Sequence, residues 1–270
     1  MLKVIGVKAY PTLVATDRSK LNAVRIPTMN IFDHMIVCYE YGNGKSGCSE
    51  LTDNLIEAGA YSKQVQGKVA LQLQKNSEIV RLHSDRYRWS ADYYTDLKFN
   101  KDGGQEEIQT RKYKGEFGRY WRRSIDDKST EEVQDYFRKD YKENVSSKAT
   151  VNFDLEGKDD LAADFVVKSK AIFAPFNDPG EDLDYSENDA WLLVELKDSK
   201  VPNKIYEYNY TGISIRSTTV WDVSNNWSVL TPPADLNLEH KFGKMIRTVA
   251  KMGSGKKEFI NLPTESGNSR

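Results

Sequence analysis

The segment WSADYYTDLKF, residues 89–99, alternates without interruption between apolar or aromatic residues and residues that are mostly charged or polar. A period of two predicts a β-strand, because successive side chains of a strand point to opposite faces. So long a regular run predicts a strand with one apolar and one wet face. A half-buried antiparallel sheet satisfies this pattern, and so does a strand that crosses a bilayer.

Three further segments alternate in a similar way and give two predicted hairpin regions. QVQGKVALQLQ (64–74) is joined to 89–99 by the polar stretch KNSEIVRLHSDRYR, which defines a first region at about 65–99. DFVVKSKAIF (164–173) is joined to AWLLVELK (190–197) by an acidic loop that contains two prolines, which defines a second region at about 165–197. Turn residues between alternating runs are typical of hairpins.

Helix signals are fewer. SELTDNLIEAG predicts a short helix after a Ser cap, and STEEVQDYFRKDY predicts a helix whose capping box joins Ser129 to Glu132. DLNLEHKFGKMIRTVAKMG, which follows Pro232 and Pro233, predicts an amphipathic helix, and the remaining residues resemble a tail. We therefore expect a main domain at 1–233 and a C-terminal helix and tail at 234–270.

Composition excludes several classes of function. Lys and Arg total 39 against 40 Asp and Glu, so the formal net charge of −1 gives no general attraction to nucleic acid. No apolar run approaches the ~20 residues of a membrane helix, and the first twenty residues indicate no secretory signal. Cys38 and Cys48 do not amount to a disulfide framework, so we expect a reducing, intracellular setting. We also expect a cytoplasmic location and no cofactor.

Two motifs allow other functions. Asp164 and Glu195 could hold a divalent cation in a metal-dependent nuclease, with Lys197 activating water, although Glu-x-Lys is also an ordinary outward ion pair on an amphipathic strand. KYKGEFGRYWRR mixes basic and aromatic residues as nucleic-acid surfaces do, but a solvated loop with anchoring rings explains it more simply. His34, His83 and His240 are isolated, so no zinc site is expected.

The order of these pieces resembles the gasdermin family over about residues 20–230. LNAVRIPTMNIFDHMIVCYE is similar to the start of that fold, SELTDNLIEAGA to its short helix, and QVQGKVALQL and DLAADFVVKSKAIF to the starts of its two hairpins. GISIRSTTVWDVSNNWSVL is similar to its closing strand. The resemblance implies an α+β fold, with a twisted, mostly antiparallel central sheet, surrounding helices and two extended β-hairpin regions.

The resemblance further implies a pore-forming cell-death effector and no enzyme. Such a protein is cytoplasmic when inactive, binds acidic phospholipids of the inner leaflet, oligomerises with itself or a divergent allelic partner, and inserts both hairpins into the plasma membrane. The lipid-binding residues would be Lys3, Lys8, Arg18, Lys20 and Arg25. The residues facing lipid would be Val69, Leu71, Leu73, Trp89, Tyr93, Leu97, Phe99, Phe165, Val167, Phe173, Leu192 and Val194, and those facing the lumen would be Ser90, Asp92, Asp96, Lys98, Lys168 and Lys170.

The chain departs from the family in three respects. It offers only a helix and a tail where vertebrate members carry a large inhibitory domain. Short bacterial members typically have a lipid-modifiable cysteine near the start, whereas the cysteine nearest the start here is Cys38. The chain is therefore most similar to the short fungal type. Residues 100–150 have no counterpart in the resemblance. A β-rich viral or structural assembly protein therefore stays open beside the pore former and the nuclease.

Overall fold

Strands dominate the computed structural model. It describes residues 6–16, 31–41, 45–60, 62, 64–82, 89–144, 149–175, 213–223, 234–240, 243–251 and 256–262. In chain order the elements are β1 (Lys8–Ala15), β2 (His34–Tyr41), β3 (Lys45–Ser49), β4 (Val69–Gln72), β5 (Glu78–Arg81), β6 (Trp89–Phe99), β7 (Gln105–Lys114), α1 (Glu116–Ile125), α2 (Thr130–Asn144), β8 (Thr150–Glu156), β9 (Phe165–Phe173), β10 (Ile213–Val223), β11 (Leu236–His240), β12 (Gly243–Lys251) and β13 (Lys256–Leu262).

The strands form two sheets. A five-stranded sheet has the order β3-β2-β1-β4-β5, and an eight-stranded sheet has the order β11-β12-β13-β10-β6-β7-β9-β8. Neighbouring described strands pair antiparallel except β6 and β10, which run parallel. The expectation of a mostly antiparallel sheet with a few helices is confirmed at this level, and the chain is more strongly β than we expected.

The pairing expected for the first hairpin region is wrong. Residues 69–72 lie in the five-stranded sheet between β1 and β5, whereas residues 89–99 lie in the eight-stranded sheet. The partner of β6 is β7, which follows it through the tight turn at 100–104, where Gly103 has a φ of 79°. Glycine adopts that left-handed conformation without steric cost, so the sequence NKDGG reverses the direction of the chain within five residues.

Two expected helices are also wrong, and a third helix was not expected. Residues 51–60 form turns, because the Asp53 carboxylate accepts the Leu55 N–H (2.9 Å) and so competes with helical hydrogen bonds. The C-terminal segment forms strands β11 and β12, and the supposed tail contains β13. The basic and aromatic run that we took for a loop contains helix α1. The helix at α2 is confirmed, with both capping-box bonds between Ser129 and Glu132.

Cys38 and Cys48 form a disulfide, which corrects the expectation of reduced thiols. The register of β2 against β3 places the two residues directly opposite each other, and Cys38 is fully buried. Disulfides persist in oxidising compartments. The cysteine count therefore no longer argues for a reducing setting.

Each sheet has its own core. The larger core lies between the two helices and one face of the eight-stranded sheet, and it is unusually aromatic. Trp121 of α1 stacks on Phe137 of α2 with 5.4 Å between ring centroids, and Phe137 contacts Phe153 of β8 at 5.6 Å. The smaller core lies under the five-stranded sheet around Val14, Ile36 and Val65. Ile56 and Ala60, from the turns after β3, belong to the larger core and so connect the two halves.

Candidate functional site

Four consecutive strands of the eight-stranded sheet, β6, β7, β9 and β8, form an antiparallel unit that we call the ribbon. It consists of two hairpins, β6–β7 and β8–β9, with both helices inserted between them in the chain. Both helices pack on one face of the ribbon, because the apolar side chains of β6, β8 and β9 all point that way. The ribbon and its two helices are the candidate functional site.

The helix-covered face contains most of the residues that we expected on one apolar side. Leu97 is 0% exposed and Val167 1% exposed, and Tyr93 is half-buried. The other expected residues of β6 and β9 are also buried: Trp89, Phe99, Phe165 and Phe173. The alternation therefore identified one common face of two strands, although β7 lies between them in the sheet.

The opposite face of the ribbon is open to solvent and carries the charges. Asp92, Lys98, Lys168 and Lys170 are exposed, and Ser90 and Asp96 are half-buried. Cross-strand ion pairs cover this face, including Lys170 with Glu106 (2.5 Å) and Lys168 with Glu156. These are the residues that we expected to remain in contact with water, and the structure places them on one face of the ribbon.

Strand β7 differs from its neighbours because its helix-covered side is polar except for Tyr113, which is buried in the larger core. Gln105 and Glu107 are buried on the helix-covered face, and Gln109 and Arg111 continue the same side half-buried. The Gln109 side-chain amide donates to the Thr95 hydroxyl (3.1 Å), and its Oε1 accepts from the Arg111 guanidinium. A line of polar groups therefore crosses the interior beneath the helices.

The buried guanidinium of Arg122 attaches helix α1 to the turn between β8 and β9 through hydrogen bonds to backbone carbonyl oxygens. The Arg122 guanidinium donates to the backbone oxygens of Gly157 (2.7 Å), Asp160 (2.9 Å) and Ala163 (2.8 Å), all in the turn between β8 and β9. It also lies 5.8 Å from the centroid of the Phe165 ring. Gly157 has a φ of 70°, and a Cβ there would lie 2.1 Å from the Asp164 oxygen, so only glycine fits this turn.

A second clamp joins α1 to the turns after β3. The Asp53 carboxylate, nearly buried, accepts from Arg119 (2.5 Å) and from Arg123 (2.6 Å), and Arg119 also pairs with Glu116. Hydrogen bonds from Leu55 N–H and Arg119 keep the pKa of Asp53 below its usual value, although burial opposes them as the largest single effect. Arg119 and Arg122 of the basic and aromatic run are thus engaged inside the protein, and the exposed Arg123 is paired with Asp53, which does not favour a nucleic-acid surface.

Helix α2 makes two polar contacts with the ribbon. The Tyr141 hydroxyl donates to the Glu107 carboxylate (2.8 Å) in the interior, and the Gln134 amide donates to the Phe153 backbone oxygen (2.9 Å). Burial raises the pKa of Glu107, although the Tyr141 hydrogen bond and the Arg111 charge oppose that shift. Folding is therefore favoured when Glu107 is protonated, so its contribution is complete below the unfolded pKa and is lost as pH rises through the folded pKa.

Replacing Glu107 by Gln is expected to stabilise the protein at pH 8, on the order of 1 kcal/mol. An amide accepts the Tyr141 hydrogen bond without placing a charge in the core. Urea unfolding at pH 5, 7 and 8 measures the effect, and the advantage of the variant should grow with pH. The control is Glu106→Gln on the exposed side of the same strand, which should give no such trend. A Glu107→Gln protein that is less stable than wild type at pH 8 contradicts the prediction.

The remaining expected site residues are not brought together. Val69 and Leu71 lie in β4 of the five-stranded sheet, and Leu73 follows directly after it, so these residues do not share a face with Trp89 or Phe99. They were assigned to the wrong hairpin because alternation alone does not identify the partner strand. Lys8 is exposed and pairs with Glu40 at 2.7 Å. Lys3, Arg18, Lys20, Arg25, Leu192 and Val194 lie outside the described residues.

Support for the nuclease is limited to one of its three residues. Asp164 lies 3.4 Å from Lys114 in a surface ion pair, while Glu195 and Lys197 lie outside the described residues. Within the part of the chain that the structure describes, no three His, Cys, Asp or Glu side chains converge as metal ligands. His34, which we took as isolated, contacts the buried Glu50 at 3.0 Å.

Sequence reasoning missed the residues that attach the helices. Asp53, Glu107 and Arg122 are scattered along the chain, and no spacing rule connects them. One signal was available: a turn as tight as NKDGG directly after a long strand indicates a hairpin, which identifies 105–114 as the strand beside β6. The polar composition of β7 hid it, because it shows no apolar alternation.

Comparisons with known proteins identify no family. No protein-family model matches the chain, and no curated protein matches it. Among solved structures it is similar to a candidate protease from Parabacteroides distasonis ATCC 8503, with 8% sequence identity and a TM-score of 0.41. That match covers 99% of this chain and 35% of the other. A likeness of this size does not establish a shared fold. Of the helices described, neither is long and apolar enough to span a membrane.

Proposed function

We propose that the protein is a gasdermin-like pore former that binds acidic phospholipids, oligomerises and inserts two β-hairpins per protomer. The observation that supports this proposal is the ribbon, whose exposed face carries the charges and whose apolar face is covered by two helices. Lifting the helices would expose a two-faced antiparallel sheet, and a sheet of this kind can meet lipid on one side and water on the other. The strands need no new partner within the hairpins, since β6–β7 and β8–β9 are already paired.

This proposal changes the hairpins that we expected from the sequence. The inserting pairs become 89–114 and 150–173, and the segment 65–73 stays with the five-stranded sheet. Strands β6, β7 and β9 contain 11, 10 and 9 residues, within the ~9–11 that a membrane strand requires. Strand β8 has 7 residues, so it must lengthen into its neighbouring turn to cross.

Strand β7 sets the main cost of insertion. Its Glu107 and Arg111 lie on the side that would face lipid, and an Arg near the midplane costs about 2–4 kcal/mol. In the soluble fold the aromatic and aliphatic side chains of β6 and β9 are already buried. Lifting the helices would expose them, and contact with lipid would then remove each large apolar side chain from water, at about 1.5–3 kcal/mol, which offsets the cost of β7. Lipid is therefore the favourable environment for this apolar face only after the helices have lifted.

A disulfide lock tests the proposal without altering the core. Asp92 of β6 and Arg216 of β10 are directly paired neighbours on the exposed face, so cysteines at both positions meet the distance that a disulfide requires. The disulfide ties the first hairpin to the body of the sheet. We expect the oxidised Asp92→Cys, Arg216→Cys protein to lose dye release from phosphatidylserine vesicles at least about tenfold. The same protein with its new thiols alkylated before oxidation should keep the release.

The matched control is a lock inside the hairpin. Lys98 of β6 and Glu106 of β7 are also directly paired on the exposed face, and replacing them also removes one cation and one anion. The oxidised Lys98→Cys, Glu106→Cys protein should release dye like wild type, because the hairpin can move as a unit. Equal release from both locked proteins contradicts the proposal. So does a wild-type protein that releases no dye alone, after limited proteolysis, or with a divergent partner chain.

A further inference from the structure

The outer face of the five-stranded sheet carries an exposed apolar row. Four apolar residues on neighbouring strands lie side by side, because the register pairs each with the next: Met35 of β2, Leu13 of β1, Leu71 of β4 and Ile79 of β5. Met35 is 56% exposed and Ile79 53% exposed. We call this surface, with its neighbours Pro11, Val37 and Leu73, the apolar row.

The charges beside the apolar row are arranged with opposite signs at its two sides. Asp33, two residues before Met35, lies at the β2 side, where its backbone N–H donates to the Val14 oxygen. Arg81, two residues after Ile79, lies at the β5 side, and its register partner Val69 pairs in turn with Ala15. Both residues are exposed and lie at the same end of the strands. Each also has a partner within the chain: the Asp33 carboxylate accepts from the Thr16 N–H (2.7 Å) and hydroxyl (2.9 Å), and the Arg81 guanidinium donates to the Gly67 oxygen (2.9 Å).

This arrangement is complementary to itself. Consider a twofold axis that runs parallel to the strands, between β1 and β4, and relates two copies face to face. It places Met35 of one copy over Ile79 of the other, and Leu13 over Leu71. The same rotation places Asp33 opposite Arg81 at both sides of the interface, so apolar contacts and opposite charges coincide. Face-to-face packing with nearly aligned strands is a common arrangement of sheets, and a twofold interface uses one surface twice.

We propose that the apolar row is a self-recognition surface that binds a second copy of this chain through this twofold arrangement. A second copy fits better than an anionic membrane, because the flanking charges are balanced and the chain has a formal net charge of −1. The row covers on the order of 300 Å² in each copy, judged from strand spacing and rise. Stable dimers bury about 800 Å² per partner, so this contact is weak and transient.

Crosslinking between two single-cysteine proteins tests the geometry. Met35→Cys and Ile79→Cys lie on exposed positions, and within one chain the two positions are three strand spacings apart, about 14 Å. A short bifunctional thiol crosslinker that spans the ~10 Å between packed sheets should join the two proteins when they are mixed. Each variant alone should crosslink at least about tenfold less, because like positions are displaced laterally by about 14 Å in the dimer. The native cysteines do not react, since they are in a disulfide.

A charge variant and a vesicle assay complete the test. Arg81→Glu should reduce the mixed crosslinking several-fold, because it sets two carboxylates against each other at both sides. Far-ultraviolet circular dichroism of each variant should match wild type, since the changed residues are exposed and Arg81→Glu removes only one hydrogen bond within the chain, to the Gly67 oxygen. Equal crosslinking in all combinations indicates random collision and overturns the proposal. Absent crosslinking, combined with loss of phosphatidylserine vesicle binding by Ile79→Cys, assigns the surface to lipid instead and also overturns it. Neither result depends on pore formation.

Discussion

Replacing Val167 by Asp is expected to lower the free energy of unfolding by about 4 kcal/mol or more. Val167 is 1% exposed and packs in the aromatic core under the helices, so the substitution removes apolar contacts and buries an unpaired carboxylate. Typical domains have only about 5–15 kcal/mol of stability to lose. Urea unfolding followed by circular dichroism measures the effect, and a strongly lowered midpoint is expected.

The control for this prediction lies on the same strand. Ile172→Asp introduces the same charge on β9, but Ile172 faces the exposed side and is 55% exposed, so it should cost less than about 1 kcal/mol. Similar losses from both variants would show that the two faces of the ribbon are not distinct. The prediction also bears on the pore proposal. A charge at Leu97 or Val167 abolishes the folded protein first, so it cannot report on membrane insertion, whereas the disulfide lock can.

The second large effect is expected from Arg122→Met, with a loss of about 3–5 kcal/mol. The guanidinium serves three backbone oxygens in the turn between β8 and β9, and methionine leaves all three without that donor. Arg122→Lys keeps the charge but lacks the planar fork, so it should recover only part of the loss. Urea unfolding and the rate of proteolysis within residues 157–164 measure the two variants.

Arg123→Met is the matched control on the next residue of α1. Its side chain is 60% exposed and makes one ion pair with Asp53, and exposed pairs contribute about 0–1 kcal/mol. If both arginine variants lost the same stability, the clamp at Arg122 would have no special role. If Arg122→Met left the cleavage rate of the 157–164 turn unchanged, the guanidinium would not be what orders that turn.

The sequence predicted the strands whose two faces differ. Residues 89–99 and 165–173 face the protein interior on one side and water on the other, and their alternation of apolar and polar residues reflects this contrast. Helix α2 was predictable because the bonds of its capping box are local, between Ser129 and Glu132. Both cases depend on residues that are close along the chain.

What could not be predicted depends on distant partners. Strand β7 carries Glu107 and Gln109 on its helix-covered side, and the hydrogen bonds from Tyr141 of α2 to Glu107 and from Gln109 to Thr95 of β6 explain why polar groups are tolerated there. The segment 236–251 has apolar spacings that suit a helix, yet it contains β-branched residues, and pairing with β13 decides in favour of strands. The disulfide required the register of β2 against β3, which the cysteine count does not supply.

The parallel seam between β6 and β10 has a consequence for how the chain reaches its native state. Residues 89–99 pair there with 213–223, so both helices and the strands β7, β8 and β9 must be synthesised before β10 can pair with β6. Closing so long a loop costs entropy that local contacts do not, and topologies dominated by such pairings fold slowly. The β6–β7 hairpin therefore forms early, and the edge of β6 that pairs with β10 stays unpaired until β10 is in place. An unpaired strand edge can pair with another chain, so the refolding yield should fall steeply with protein concentration.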